Sequence, residues 1–293
     1  MNTPNALLPG FIVAAHGRQC RVELENGDVL PCLTRGKKSE AVCGDAVFIR
    51  RTGENQGVIE EIRPRHTLFY RSNAFRQKLI AANVDQLILV AAVEPAFSTQ
   101  LLERCLIAAA SQDIATLIVL NKCDLADALP AAQARLNPFA ARGCDILNLS
   151  ARQNAAALRL HLQGKTSLLA GQSGMGKSTL INALVPAATA ATREISTALD
   201  SGKHTTTHTR LYHLDATSHI IDSPGLQEFG LNHLTPDELT HAFPEFAPYL
   251  GHCRFRDCRH QQEPDCALQA AVNAGHIAPE RLGLFQMLAA ENK

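Results

Sequence analysis

The stretch Gly171-Gln172-Ser173-Gly174-Met175-Gly176-Lys177-Ser178-Thr179 carries the G-x-x-x-x-G-K-S spacing of a loop that wraps polyphosphate. An apolar run at 167–170 precedes it, and a segment with helical spacing at 179–184 follows. Glycines in such a loop let backbone N–H groups and the next helix N-terminus face phosphate oxygens. Lys177 would then reach the β- and γ-phosphates, and the Ser178 hydroxyl would ligate Mg²⁺. Forty-five residues past Lys177, the apolar run HIID opens Asp222-Ser223-Pro224-Gly225. A D-x-x-G alone is an ordinary turn. At a strand end behind a phosphate loop, Asp222 suits Mg²⁺ held through water, and the Gly225 amide suits the γ-phosphate.

A second constellation would choose the base. Asn121-Lys122-Cys123-Asp124 closes the apolar run ATLIVL. A carboxylate at Asp124 can accept from the N1–H and 2-amino groups of guanine. Adenine offers neither donor and would leave the carboxylate unpaired. The Lys122 stem can cover the base, and Asn121 can tie this loop to the phosphate loop. Ser150-Ala151, after DILNL, fits a further base contact, although the pair is weak on its own. The order is permuted: base motifs precede the phosphate loop, whereas ordinary GTPases place them after it. A compact domain with neighbouring termini tolerates such a permutation. It ties whatever follows D-x-x-G to a part that moves on hydrolysis.

A third cluster is Cys253-x4-Cys258-x-His260-x5-Cys266. Three thiolates and an imidazole make a structural zinc set, closed and non-catalytic. Buried cysteines or a redox pair are the blander readings, and no C-x-x-C is present. Arg254, Arg256 and Arg259 lie between the ligands, either solvated or facing RNA phosphate.

The elements that must position these groups can be read from pattern. Residues 10–63 contain short Val/Ile/Leu-rich runs broken by turns, with Asn26-Gly27 as a hairpin turn. This predicts a small β-barrel, of which the OB-fold is the leading form. From about residue 84, continuous apolar runs alternate with helical spacing, which predicts an α/β unit with a parallel sheet. Beyond about 235 the pattern is helical and polar. The domains expected are 1–72 (OB-fold, RNA-binding), 73–234 (permuted GTPase) and 235–293 (mainly helical, zinc-binding).

Composition narrows the class. With 46% hydrophobic and 19% charged residues, a soluble globular chain is expected. No apolar run approaches the roughly 20 residues needed to cross a bilayer. No secretion signal is visible, and nine cysteines then fit a reducing cytoplasm. Formal net charge is zero, yet residues 1–80 hold 12 Lys/Arg against 8 Asp/Glu. Arg35, Lys37, Lys38, Arg50, Arg51, Arg63 and Arg65 concentrate in the expected barrel.

Taken together, these features resemble the circularly permuted bacterial GTPases that act on the small ribosomal subunit, the RsgA/YjeQ family. The resemblance rests on GQSGMGKST, GKHTTTH at 202–208, DSPGLQEFGL and the Cys/His cluster, in this order, and spans nearly the whole chain. It implies an OB-fold, a permuted GTPase domain, one structural zinc, and late maturation of the small subunit with hydrolysis stimulated by it. GTP/GDP, Mg²⁺, the subunit and its rRNA are the expected partners of a monomer. A zinc-containing GTPase acting on a protein without RNA is the alternative, and N-K-x-D argues against a small-molecule kinase. Ordinary GTPases orient the attacking water with a glutamine just after D-x-x-G. Leu226 occupies that position here, so His204 is the expected water-positioning group. Thr206 is the expected switch threonine, on Mg²⁺ or the γ-phosphate.

Overall fold

The computed structural model describes residues 6–35, 40–73, 76–185 and 209–292. His204 and Thr206, with Lys37 and Lys38, lie outside the described residues.

Five strands form the N-terminal barrel: β1 (Leu8–His16), β2 (Gln19–Leu24), β3 (Val29–Thr34), β4 (Ala46–Gly53) and β5 (Gln56–Ile62). They pair in the order β1-β2-β3-β5-β4, and β4 returns to β1, so the sheet closes on itself. Closure removes free strand edges. On β3 buried and exposed residues alternate, with Leu30, Cys32 and Thr34 inward and Val29, Pro31 and Leu33 outward. Ile12, Val22, Val47, Ile49 and Ile59 join them in a core separate from the rest of the chain. The β2–β3 turn uses Gly27 at φ +85, with the Gly27 N–H bonded to Leu24 O (2.9 Å).

The second sheet is β10 (Ile146–Asn148), β9 (Ala115–Asn121), β8 (Gln86–Ala92), β11 (Thr166–Ala170), β13 (His219–Asp222) and β12 (Thr209–His213), in that spatial order. The first five run parallel, and β12 is antiparallel to β13. Every residue of β8 is buried, as expected of a strand covered on both faces. Helices α1 (Thr99–Ala110), α2 (Leu129–Ala140), a single turn α3 (Arg159–Leu162) and α4 (Lys177–Leu184) connect the strands. Strand β12 also pairs with β1, so the barrel and the α/β sheet are continuous through backbone hydrogen bonds.

Two elements had no sequence expectation: α2, and the hairpin of β6 (Leu68–Ser72) and β7 (Gln77–Ala82). Beyond residue 235 come α5 (Pro236–His241), α6 (Ala267–Asn273) and α7 (Pro279–Glu291). A capping box at Thr235/Glu238 starts α5. Phe243, Phe246 and Phe285 pack with centroids 4.8 to 5.7 Å apart and merge into the core of the α/β unit. Among the described residues, no helix is long and apolar enough to cross a membrane.

Candidate functional site

The parallel strands bring the motifs together because each motif begins where a strand ends. Asn121 ends β9, Ala170 ends β11 and Asp222 ends β13. Carboxyl ends of parallel strands share one edge of the sheet, where such folds bind ligands. A cavity of about 480 Å³ opens there. Asn121, Lys122, Asp124, Ser150, Ala151, Ser173, Gly174, Gly176, Lys177, Ser178, Thr179 and Gly225 all line it. The sequence thus named most of the wall.

Asn121 is the junction of three loops. Its Nδ2 donates to Met175 O (2.9 Å), and its Oδ1 accepts from Lys122 N (2.8 Å) and Ala151 N (2.9 Å). A buried amide with both ends satisfied fixes the base loop, the phosphate loop and the 150–151 loop in one geometry. Gly176 must be glycine twice over. Its φ is +93, and a Cβ there would stand 2.2 Å from Asn121 Nδ2.

At the base end, Asp124 is exposed. The Ser150 hydroxyl and its own backbone N–H hold its carboxyl below the usual range, so it stays ionised as an acceptor. The Lys122 ammonium donates to Glu94 O (2.6 Å), which draws its stem along the cavity wall. Leu125 and Arg152 also line this end, although neither was anticipated. Each directly follows a motif, and that adjacency was the available signal. Cys123 turns inward, its Sγ donating to Leu120 O (3.1 Å).

At the phosphate end, Lys177 is only 8% exposed, and its ammonium donates to Gly171 O (2.7 Å) and Gln172 O (3.0 Å). Burial lowers its pKa, and nearby Asp222 opposes the shift. Asp222 is 5% exposed, and burial pushes its carboxyl up to about 6 against the pull of Lys177. Its Oδ1 has no hydrogen-bond partner among the described residues. An unsatisfied buried carboxylate oxygen fits a site completed by a cation. Gln172 and Met175 do not line the cavity. The Gln172 side chain accepts from Ser98 N (2.6 Å), and Met175 packs into the core. Gly171 belongs to the hinge of the loop, where its carbonyl also accepts from Leu226 N (3.1 Å). Leu226 is buried, and Gln227 borders a different cavity.

The ligand atoms of Cys253, Cys258, His260 and Cys266 lie within 4.8 Å of one another. His260 Nδ1 stands 3.6 Å from Cys253 Sγ, 3.6 Å from Cys258 Sγ and 3.4 Å from Cys266 Sγ. A tetrahedral ion with metal–sulfur and metal–nitrogen bonds of about 2.3 and 2.05 Å requires N···S edges of roughly 3.6 Å. The Ala267 N–H points at Cys253 Sγ (3.3 Å), a donor suited to a thiolate. Arg254 pairs with Asp265 (3.0 Å). In the barrel, Arg35 and Arg50 share Glu60, Arg65 grips Asp45, and Arg51 pairs with Asp28. Four of the barrel arginines are thus paired, with acids that the charge count had already set against them.

Comparison with known proteins agrees with this geometry. Residues 62–232 match the model of the RsgA GTPase family. The chain is 53% identical over 287 residues to the small ribosomal subunit biogenesis GTPase RsgA of Burkholderia pseudomallei strain K96243, covering 96% of this chain and 91% of that one. It is 51% identical to the protein of the same name from Bordetella pertussis, covering 97% and 96%. YjeQ from Thermotoga maritima superposes with a TM-score of 0.70 at 31% identity, over 98% of this chain and 99% of that one. YloQ, described as a circularly permuted GTPase, gives 0.68 at 28% identity, over 100% and 97%. These matches run along nearly the full length of the relatives, and the chain belongs to the RsgA GTPase family, whose members are GTP hydrolases.

Proposed function

We propose that the chain binds the small ribosomal subunit, assists its late maturation, and hydrolyses GTP to GDP and phosphate under stimulation by that subunit. The carrying observation is the Asn121 junction, which makes guanine recognition and phosphate binding a single preformed unit. The Burkholderia and Bordetella relatives are small ribosomal subunit biogenesis GTPases, which is the ground for naming the subunit.

In this reading Asp124 accepts the guanine N1–H and amino group, and Lys122 covers the base. The Lys177 ammonium exchanges its two carbonyl partners for the β- and γ-phosphate oxygens. Backbone N–H groups from Ser173 to Thr179, with the N-terminus of α4, surround the phosphates. Ser178 and Thr206 would hold Mg²⁺, with Asp222 behind them through water and Gly225 on the γ-phosphate. Mg²⁺ held there would supply positive charge against the negative charge that develops on phosphoryl transfer. Leu226 offers the attacking water nothing: its side chain is buried, and its N–H is taken by Gly171. His204 is the group assigned to that water, on sequence grounds alone. Zinc is assigned to Cys253, Cys258, His260 and Cys266 as a structural ion. The protein is placed in the cytoplasm as a monomer that contacts rRNA.

Co-sedimentation with isolated small subunits tests this. Binding should be stronger with a non-hydrolysable GTP analogue than with GDP. It should also weaken steeply between roughly 50 and 200 mM salt, as counterion release at RNA phosphates requires. Equal binding in both nucleotide states sinks the proposal, and a flat salt response removes rRNA from it.

A further inference from the structure

Helix α1 touches the molecule at two functionally separate places. At its start, the Ser98 N–H is bonded to the phosphate-loop side chain of Gln172 (2.6 Å). Further along, adjacent residues reach both ends of α7. Glu103 binds Arg281 (2.7 Å) in the first turn of α7, and also Arg142 (2.6 Å) at the end of α2. Arg104 holds Glu291, the last residue of α7, in a two-pronged pair (2.6 and 2.8 Å). The same guanidinium approaches Phe229 O (3.4 Å) in the segment leaving D-x-x-G.

That segment is bonded to the end of α7 at further points. Asn232 Nδ2 donates to Glu291 O (2.6 Å), and Asn292 Nδ2 donates to Leu231 O (3.0 Å) and Leu234 O (3.1 Å). At its other end the Leu226 N–H is bonded to Gly171 O in the phosphate loop. Residues 226–234 therefore run from the phosphate loop to the last turn of α7. Along Gln227, Glu228 and Gly230 they border a cavity of about 350 Å³. Phe229, Leu231 and Leu234 are buried and fix the inner side of the segment, while polar contacts fix the side that borders the cavity.

We infer that Arg104 is a positioning residue for GTP hydrolysis. It clamps the last turn of α7 to the segment leaving D-x-x-G, so that this segment and the Cys/His-bearing unit shift together. The inference rests on the reading of the 171–179 cavity as the GTP site. Arginine suits the task because its planar fork fixes direction as well as distance, which a lysine ammonium does not. The Arg104 side chain is 12% exposed, so the pair is shielded better than an ordinary surface bridge.

The test uses the full-length, zinc-loaded protein. Binding of a fluorescent GDP derivative is measured first, and a parent that binds none overturns the site reading and the clamp together. Amide hydrogen exchange is then compared between GDP and a non-hydrolysable GTP analogue. In the parent, residues 227–234 and the last turn of α7 should change protection together. In Arg104→Gln the first should still respond and the second should not. Turnover should fall roughly threefold to tenfold, the range of residues that act through coupling, with the KM for GTP within about twofold of the parent. Arg104→Lys should recover only part of the loss. Glu291→Gln, at a half-exposed position, should show the same split, and the double variant should be no worse than either single. Independent responses of the two segments in the parent, or unchanged turnover in Arg104→Gln and Glu291→Gln, overturn the clamp.

Discussion

The nucleotide cavity and the Cys/His cluster are both polar sites, yet they are held by opposite means. The cavity draws on segments spread from Asn121 to Gly225, assembled because buried parallel strands end on one edge. Its key polar contacts are made within the protein, as at Asn121. The cluster takes all four ligands from 253–266, a stretch without a regular helix or strand. Only Cys266 among the four is buried, and His260 and Asp265 sit at φ +58 and +56. Such a backbone costs energy that other contacts must offset. A sheet preforms the first site, whereas the second is four soft ligands on an irregular stretch, arranged to fit a metal ion.

The largest expected effect follows from that asymmetry. Cys258→Ser should release the ion, whose binding contributes on the order of 10 kcal/mol in small zinc units. Residues 253–266 should become protease-sensitive while guanine-nucleotide affinity stays within about twofold. Elemental analysis should find one zinc per parent chain and much less in the variant. Equal loss of nucleotide binding would show that the two sites are not held independently.

A smaller effect is expected when chemistry, not assembly, is changed in the cavity. Asp124→Asn should weaken GTP binding by roughly a hundredfold, since hydrogen bonds to a charged group are worth about 1.5–3 kcal/mol each. Xanthosine triphosphate, with an acceptor at position 2, should become the preferred ligand. Calorimetry with both nucleotides decides it, and undiminished GTP affinity would remove Asp124 from the base pocket.

The smallest net effect concerns pH, because two buried groups oppose each other. His233 packs at a tilt against Tyr70 with centroids 4.1 Å apart, bonds Ser72 Oγ (2.9 Å), and is held down to about 4 by burial. The unfolded chain takes up that proton near the ordinary imidazole value, so this group's stability is lost as pH falls from about 6.5 toward 4. Asp222 is raised to about 6, so the folded state keeps its proton longer and its contribution is lost as pH rises from about 4 to 6. At about 1.4 kcal/mol per pKa unit Asp222 is worth on the order of 3 kcal/mol, and half-buried His233 less, because solvent screens it. Nucleotide-free protein should therefore show a flattened stability profile between about pH 4 and 6, the overlap of the two windows. His233→Gln should become less stable as pH rises, and Asp222→Asn less stable as pH falls. Denaturant midpoints with zinc present would show this, and matching profiles for the two variants would refute the cancellation.

The sequence by itself named most residues of the cavity wall and all four of the Cys/His cluster. Gly176 and Lys177 are legible because wrapping phosphate demands glycine conformations and a cation at fixed spacing. Asp124 is legible from its place in N-K-x-D at the end of an apolar run, and Cys253 to Cys266 because four soft ligands rarely cluster. The barrel and the parallel strands were legible from periods of two and from continuous apolar runs such as β8. The unassigned hairpin β6–β7 is different. Its position is set by Ser72 N bonding Gly230 O, and a Cβ on Gly230 would stand 2.1 Å from Ser72 O. The pairing of β12 with β1, the neutralisation of barrel arginines by Glu60 and Asp45, and the Arg104–Glu291 fork across 187 residues are of the same kind. Only the tertiary structure decided these, because a contact between residues far apart in the chain leaves no periodicity or spacing in either segment to announce its partner.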